Sequence, residues 1–140
     1  MKPVDGAAPD NATKAALEQL SEGLADEVAP FGIKVLIVEP GAFRTDLFGK
    51  GAVYFSAENP AYAEKVGVTR KMEQGGDGSQ PGDPAKAAAV ILLAPDAEKT
   101  PLRLALGHDA VDFLTAPLDS VRAELTGWDK ISRGTDFDTE

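Results

Sequence analysis

A chain of 140 residues with a formal charge of −9 and a pI near 4.6 is poorly suited to nucleic acid or anionic membrane, since both need clustered Lys and Arg. The absence of cysteine removes disulfides, thiolate metal sites and a cysteine nucleophile. The length suits one domain, and a hydrophobic content of 43% is that of a globular protein rather than a disordered one.

No apolar h-region appears in Met1-Lys2-Pro3-Val4-Asp5-Gly6. The longest apolar run, Ala87 to Ala94, falls far short of the ~18–20 residues of a membrane span. A cytoplasmic location is therefore expected. Asn11-Ala12-Thr13 matches a glycosylation sequon, which without secretion is a chance match.

In chain order, residues 1–11 are rich in Pro, Gly, Asp and Asn and read as an irregular lead-in. Asp10 or Asn11 is expected to cap a helix running to about Ala29, whose Leu17, Leu20, Leu24 and Val28 form one apolar face. Pro30 and Gly32 end it. Ile33 to Val38 is a short β-branched run with the nearly continuous apolar character of a strand covered on both faces, and Pro40-Gly41 stops it. Ala42 to Phe55 reads as loop, a helix is expected around Pro60 to Met72, and Gln74 to Gly82 is a Gly-rich connection.

Asp83-Pro84 is a helix start with cap and first-turn proline in their favoured places. The helix over Ala85–Ala94 is apolar almost all round, which predicts burial. Leu102 to Leu106 alternates and ends at Gly107, as a second strand does. From about Ala110 to Ser132 the spacing is helical with an interruption expected at Pro117, and Val121, Leu125 and Trp128 share a face. Thr135 to Glu140 is an acidic tail, expected to be frayed.

The alternation of helix and strand predicts an α/β fold. Two strands form no stable parallel sheet by themselves. The pattern therefore implies further strands or a partner that covers the apolar faces.

Four segments together resemble the short-chain dehydrogenase/reductase family. Residues 12–22 look like its active-site helix, and Glu27 to Val35 like the exit into its sixth strand. Val38-Glu39-Pro40-Gly41-Ala42-Phe43-Arg44-Thr45-Asp46 looks like the Pro-Gly motif after that strand, and Gly82 to Ala88 like the start of the next helix. Leu102 to Gly107 then matches the seventh strand. The order and spacing make the set specific where one motif would be weak.

The resemblance covers residues 12–135, leaving the lead-in at 1–11 and the tail at 136–140 outside it. It implies the C-terminal part of a Rossmann-like, doubly wound parallel sheet, represented by two strands with flanking helices and incomplete on its own.

The resemblance also implies an NAD- or NADP-dependent enzyme that interconverts an alcohol and a carbonyl on a small substrate. In the family a Tyr-x-x-x-Lys pair shares one helix face; the lysine lowers the tyrosine's pKa and holds the nicotinamide ribose. Lys14 stands at the lysine position, and Pro40, Gly41 and Thr45 at the nicotinamide-end positions. Asp10 stands where the tyrosine is usual. A carboxyl of reference pKa ~3.9 is ionised at pH 7 and makes a poor proton donor to a carbonyl. The family's catalytic Ser and its Gly-rich phosphate-binding turn precede this helix, and no segment before Lys14 is long enough to hold them.

Plainer readings stand beside these. Lys14 is also a solvated helix lysine, Asp10 reads better as a helix cap than as an acid, and Thr45 is either a cofactor contact or a loop residue. His108, the only histidine, reads as a turn residue rather than a base. Tyr54 and Tyr62 do not precede a lysine by four residues and suit packing or loop roles. Gly75-Gly76-Asp77-Gly78 follows no expected strand and is no phosphate loop. Trp128 suits a core or interface anchor. No Asp, Glu and His stand at metal-ligand spacing. The alternative to an enzyme is a catalytically inactive remnant serving as a homo-oligomerisation or interaction module.

Overall fold

The computed structural model describes residues 7–48, 55–76 and 78–137. Its longer elements are helix α1 (Ala8–Val28), strand β1 (Ile37–Pro40), helix α2 (Val66–Gly75), helix α3 (Pro84–Leu93), strand β2 (Arg103–Leu106) and helix α4 (His108–Arg133). β1 and β2 pair in parallel, Ile37 opposite Arg103 and Pro40 opposite Leu106, with α3 in the crossover between them. The result is the expected α/β arrangement, a two-stranded parallel sheet with flanking helices and an incomplete version of its fold.

Several boundaries differ from the sequence expectation. Helix α1 starts at Ala8, inside the expected lead-in, so Asp10 lies in its first turn and neither Asp10 nor Asn11 is the cap. Pro9 explains this: its fixed φ is already helical, and the missing N–H is one the first turn leaves unbonded anyway. The other end follows expectation, with a 3₁₀ turn at Ala29–Phe31 and Gly32 at φ 72°, a left-handed conformation that glycine adopts without a Cβ penalty.

Strand β1 is shorter and later than Ile33–Val38, because a ladder extends only as far as its partner. The Ile37 amide bonds the Leu102 carbonyl at 2.7 Å, and pairing begins there. Lys34 instead donates its ammonium to the Pro95 carbonyl at 2.9 Å. The expected Pro60–Met72 helix divides into a 3₁₀ turn, Pro60–Tyr62, capped by Asn59, and α2. Asp83 caps α3 as expected, accepting the Ala85 amide at 2.9 Å.

Two further expectations fail. Helix α4 runs unbroken through Pro117: a proline removes only one N–H bond from the ladder, and the bonds on either side carry the helix past it. Helix α3 is not buried; Leu92 is 75% exposed, since no element of the described residues covers its outer faces. The buried apolar residues are Ile37, Ala94, Leu106 and Ala110, which place the core at the strand pair, the end of α3 and the first turn of α4. The apolar face of α1 and that of α4 lie open, with Leu20 70% and Trp128 63% exposed, so Trp128 is no core residue of this chain. No helix among the described residues is long and apolar enough to cross a membrane.

Candidate functional site

In an open parallel sheet, ligands bind beyond the carboxyl ends of the strands. Here that edge is formed by the residues after Pro40 and after Leu106, because β1 and β2 run the same way and end level. The segment from Pro40 to Thr45 crosses it and is fixed from two sides.

On one side stands the junction of β2 and α4. The Gly41 amide donates to the Leu106 carbonyl at 2.8 Å, and the Ala42 amide donates to Asp109 Oδ2 at 2.6 Å. On the other side runs the segment before α3. Phe43 bridges Gly82 in parallel: the Gly82 amide donates to the Ala42 carbonyl and the Arg44 amide to the Gly82 carbonyl, both at 3.0 Å. The Arg44 guanidinium donates to the Gln80 carbonyl at 3.1 Å. A Cβ on Gly82 would lie 2.6 Å from the Phe43 ring, so this crossing needs a glycine. The loop expected over Ala42–Phe55 is therefore tied down through Arg44.

Four of the named residues are brought to this edge. Pro40 ends β1, Gly41 follows it half-buried, and Thr45 is exposed with its hydroxyl accepting the Leu47 amide at 3.4 Å. His108 is exposed beside them as the first residue of α4, a helical position rather than the expected turn. Lys14 lies on α1, exposed, and neither Lys14 nor Asp10 joins an ion pair among the described residues. No hydrogen bond joins Lys14 to Pro40, Gly41 or Thr45 there. Tyr62 is exposed in the 3₁₀ turn after Asn59. Tyr54 and Asp77 lie outside the described residues; Gly75 ends α2, so this glycine run follows a helix and not a strand.

The charge cluster behind the edge was not read from the sequence. Arg103, first residue of β2, reaches Glu39 at 2.9 Å, Glu18 at 3.2 Å and Glu22 at 2.6 Å. It thus ties α1 to both strands. Glu39 is buried, and its second carboxylate oxygen has no partner among the described residues. Arg103 is the cation that makes this burial tolerable. Glu18 and Glu22 are one helical turn apart, as are Lys14 and Glu18, so Lys14 continues the same stripe about 6 Å further along α1.

The Arg103 hydrogen bond holds the Glu22 carboxyl below its ordinary range against an opposing desolvation, with the Arg103 charge and the Gln19 amide adding to the effect. In return, the hydrogen bond to Glu22 leads the contacts that push Arg103 above its ordinary value. The signals were present in the sequence: two glutamates at i and i+4 on α1, a glutamate in an apolar strand and an arginine in an alternating one. Asp109 had a weaker signal, an acidic residue two positions after a strand-ending glycine.

Among the described residues no group of three or more His, Asp or Glu is placed to hold a metal. The family model for short chain dehydrogenases matches residues 1–52. A crystal structure of a short-chain dehydrogenase from Streptomyces avermitilis is 78% identical and superposes with a TM-score of 0.86, covering 97% of this chain and 49% of that one. The oxidoreductase BOA17 of Botryotinia fuckeliana is 34% identical over 119 residues, 85% of this chain and 43% of the relative. The oxidoreductase claN of Passalora fulva is 58% identical over 59 residues, 41% of this chain and 24% of the relative. The chain spans less than half the length of each of these three proteins.

Proposed function

The chain is a segment of the short-chain dehydrogenase/reductase family, and from that premise we propose that it supplies the nicotinamide side of an NAD- or NADP-dependent oxidoreductase interconverting an alcohol and a carbonyl. The observation that carries the reading is the Pro40–Thr45 crossing at the carboxyl ends of two parallel strands. Its chemistry suits the nicotinamide end of a dinucleotide: a backbone turn with no side chain at Gly41, followed by the exposed hydroxyl of Thr45.

When bound, the nicotinamide gives or accepts the hydride. Thr45 accepts the Leu47 amide, which leaves its own O–H to donate toward a ligand. Lys14 carries a compact ammonium on an exposed helix face, suited to ribose hydroxyls and to stabilising a nearby anion. Asp10, one turn before it, keeps the helix position of a proton donor without the phenol that position usually carries. The grip on adenosine and pyrophosphate comes, in this reading, from a Gly-rich turn on further strands that complete the sheet.

The test is a fluorescence titration with NADH and NADPH. It compares the 140-residue chain with the same chain joined to the complementary half of the Streptomyces avermitilis dehydrogenase. The joined protein is expected to bind at least one of the two and the chain alone neither; a joined, folded protein that binds neither overturns the reading. A second reading, a non-enzymatic interaction module, is favoured by the open apolar faces of α1 and α4. It expects the chain to self-associate in light scattering while the joined protein stays blind to dinucleotide.

A further inference from the structure

We propose that Asp109 is a positioning residue that sets the peptide plane of the Gly41–Ala42 turn; the consequence for cofactor rests on the functional reading above. Asp109 is the second residue of α4, where an acidic side chain is favoured by the helix dipole. Its carboxylate does not cap α4, which has no side-chain cap. It reaches instead across 67 residues of sequence to accept the Ala42 amide at 2.6 Å.

Two glycines make room for it. A Cβ on Gly41 would collide with Oδ1, Oδ2 and Cγ of Asp109, so the carboxylate lies directly on the side-chain face of Gly41. A Cβ on Gly107 would lie 2.6 Å from Oδ1. Gly107 also has φ 95° and ψ 151°, a conformation essentially confined to glycine, and this takes the chain from β2 straight into α4. Gly41, Gly107 and Asp109 thus interlock.

The consequence follows from peptide geometry. In a planar trans peptide the N–H and the preceding C=O point in opposite directions. By holding the Ala42 N–H, Asp109 fixes the Gly41 carbonyl pointing away from itself. That oxygen has no hydrogen-bond partner among the described residues. A charged acceptor makes the bond short and strong, so the turn has one orientation rather than several. A cofactor then meets a carbonyl already aimed, with less ordering required on binding.

Two measurements test this. In the 140-residue chain, Asp109→Ala and Asp109→Asn are compared by ¹⁵N–¹H NMR at the Ala42 amide. The amide proton is expected to move upfield in the alanine variant and less in the asparagine variant, which keeps an acceptor oxygen. An unmoved Ala42 amide overturns the clamp, whatever the fate of the functional reading.

In the joined protein, Asp109→Ala is expected to raise the Kd for the dinucleotide about tenfold in the fluorescence titration, the loss of one charge-assisted hydrogen bond. Asp109→Asn is expected to recover most of that change. An altered Ala42 amide with unchanged Kd overturns the positioning role. Should the unmutated joined protein bind no dinucleotide, the functional reading falls, and the Ala42 shift alone decides whether Asp109 sets the turn.

Discussion

At the carboxyl ends of β1 and β2 the chain closes on itself. Leu106 and Ala110 are buried there, and the backbone from Gly41 to Arg44 is bonded on both sides. Along α1, α3 and α4 the situation is reversed: Leu17, Leu20, Leu92, Leu125 and Trp128 are more exposed than covered. Both regions have apolar residues at the right spacing for their elements, so local pattern is not what separates them. The difference is what each pattern packs against. The turn finds its partners within this chain, in β2, α4 and the segment before α3, whereas the helix faces find none among the described residues. The turn's geometry is thus self-contained, whereas the apolar helix faces stay open among the described residues.

Matched core truncations would break this comparison most visibly. Ile37→Ala is expected to lower the urea unfolding free energy by about 3 kcal/mol, the range of a buried aliphatic truncation. Leu20→Ala, at an open position, should stay within about 0.5 kcal/mol. Equal effects at the two positions would mean that α1 is covered in solution.

The Arg103 cluster comes next, since it is the main polar tie between the two regions. Breaking a buried pair costs about 3–5 kcal/mol, and because Arg103 is itself about a third exposed the expected loss for Arg103→Ala is nearer ~2 kcal/mol. Urea titration measures it. The smallest effect is the cluster's pH dependence. The folded Glu22 carboxyl lies below its ordinary value, so its contribution is fully present above that ordinary value and is lost as pH falls through the lowered one. Acid titration of stability should show this step in the unmodified chain and a smaller one in Arg103→Ala.

The sequence made a good part of this legible, and the limits have physical causes. Asp83 and Pro84 marked the start of α3, and Pro30 with Gly32 marked the end of α1, because these residues act on their own backbone or on amides two or three residues away. Strand β1 was misplaced by several residues because pairing depends on a partner more than sixty residues away. Pro117 was read as a break because the loss of one N–H is visible in sequence, while the surrounding ladder that outweighs it is not.

At the site, the motif order pointed to Pro40, Gly41 and Thr45, and the structure sets all three at one sheet edge. Lys14 was found on the helix the motif named, without a bond to that edge among the described residues. Arg103, Glu39 and Asp109 were missed for one reason. Each acts on residues distant in sequence, so its neighbours mark it as unusual for its element without naming the partner.

Amide hydrogen exchange of the chain, alone and joined to the complementary half of the dehydrogenase, tests the contrast most directly. The account expects the amides of β1, β2 and the Gly41–Arg44 turn to be protected in both, and those of α1 to gain protection of tenfold or more, on the order of 1.4 kcal/mol, only when joined. Protection of α1 that is already full in the chain alone would contradict it.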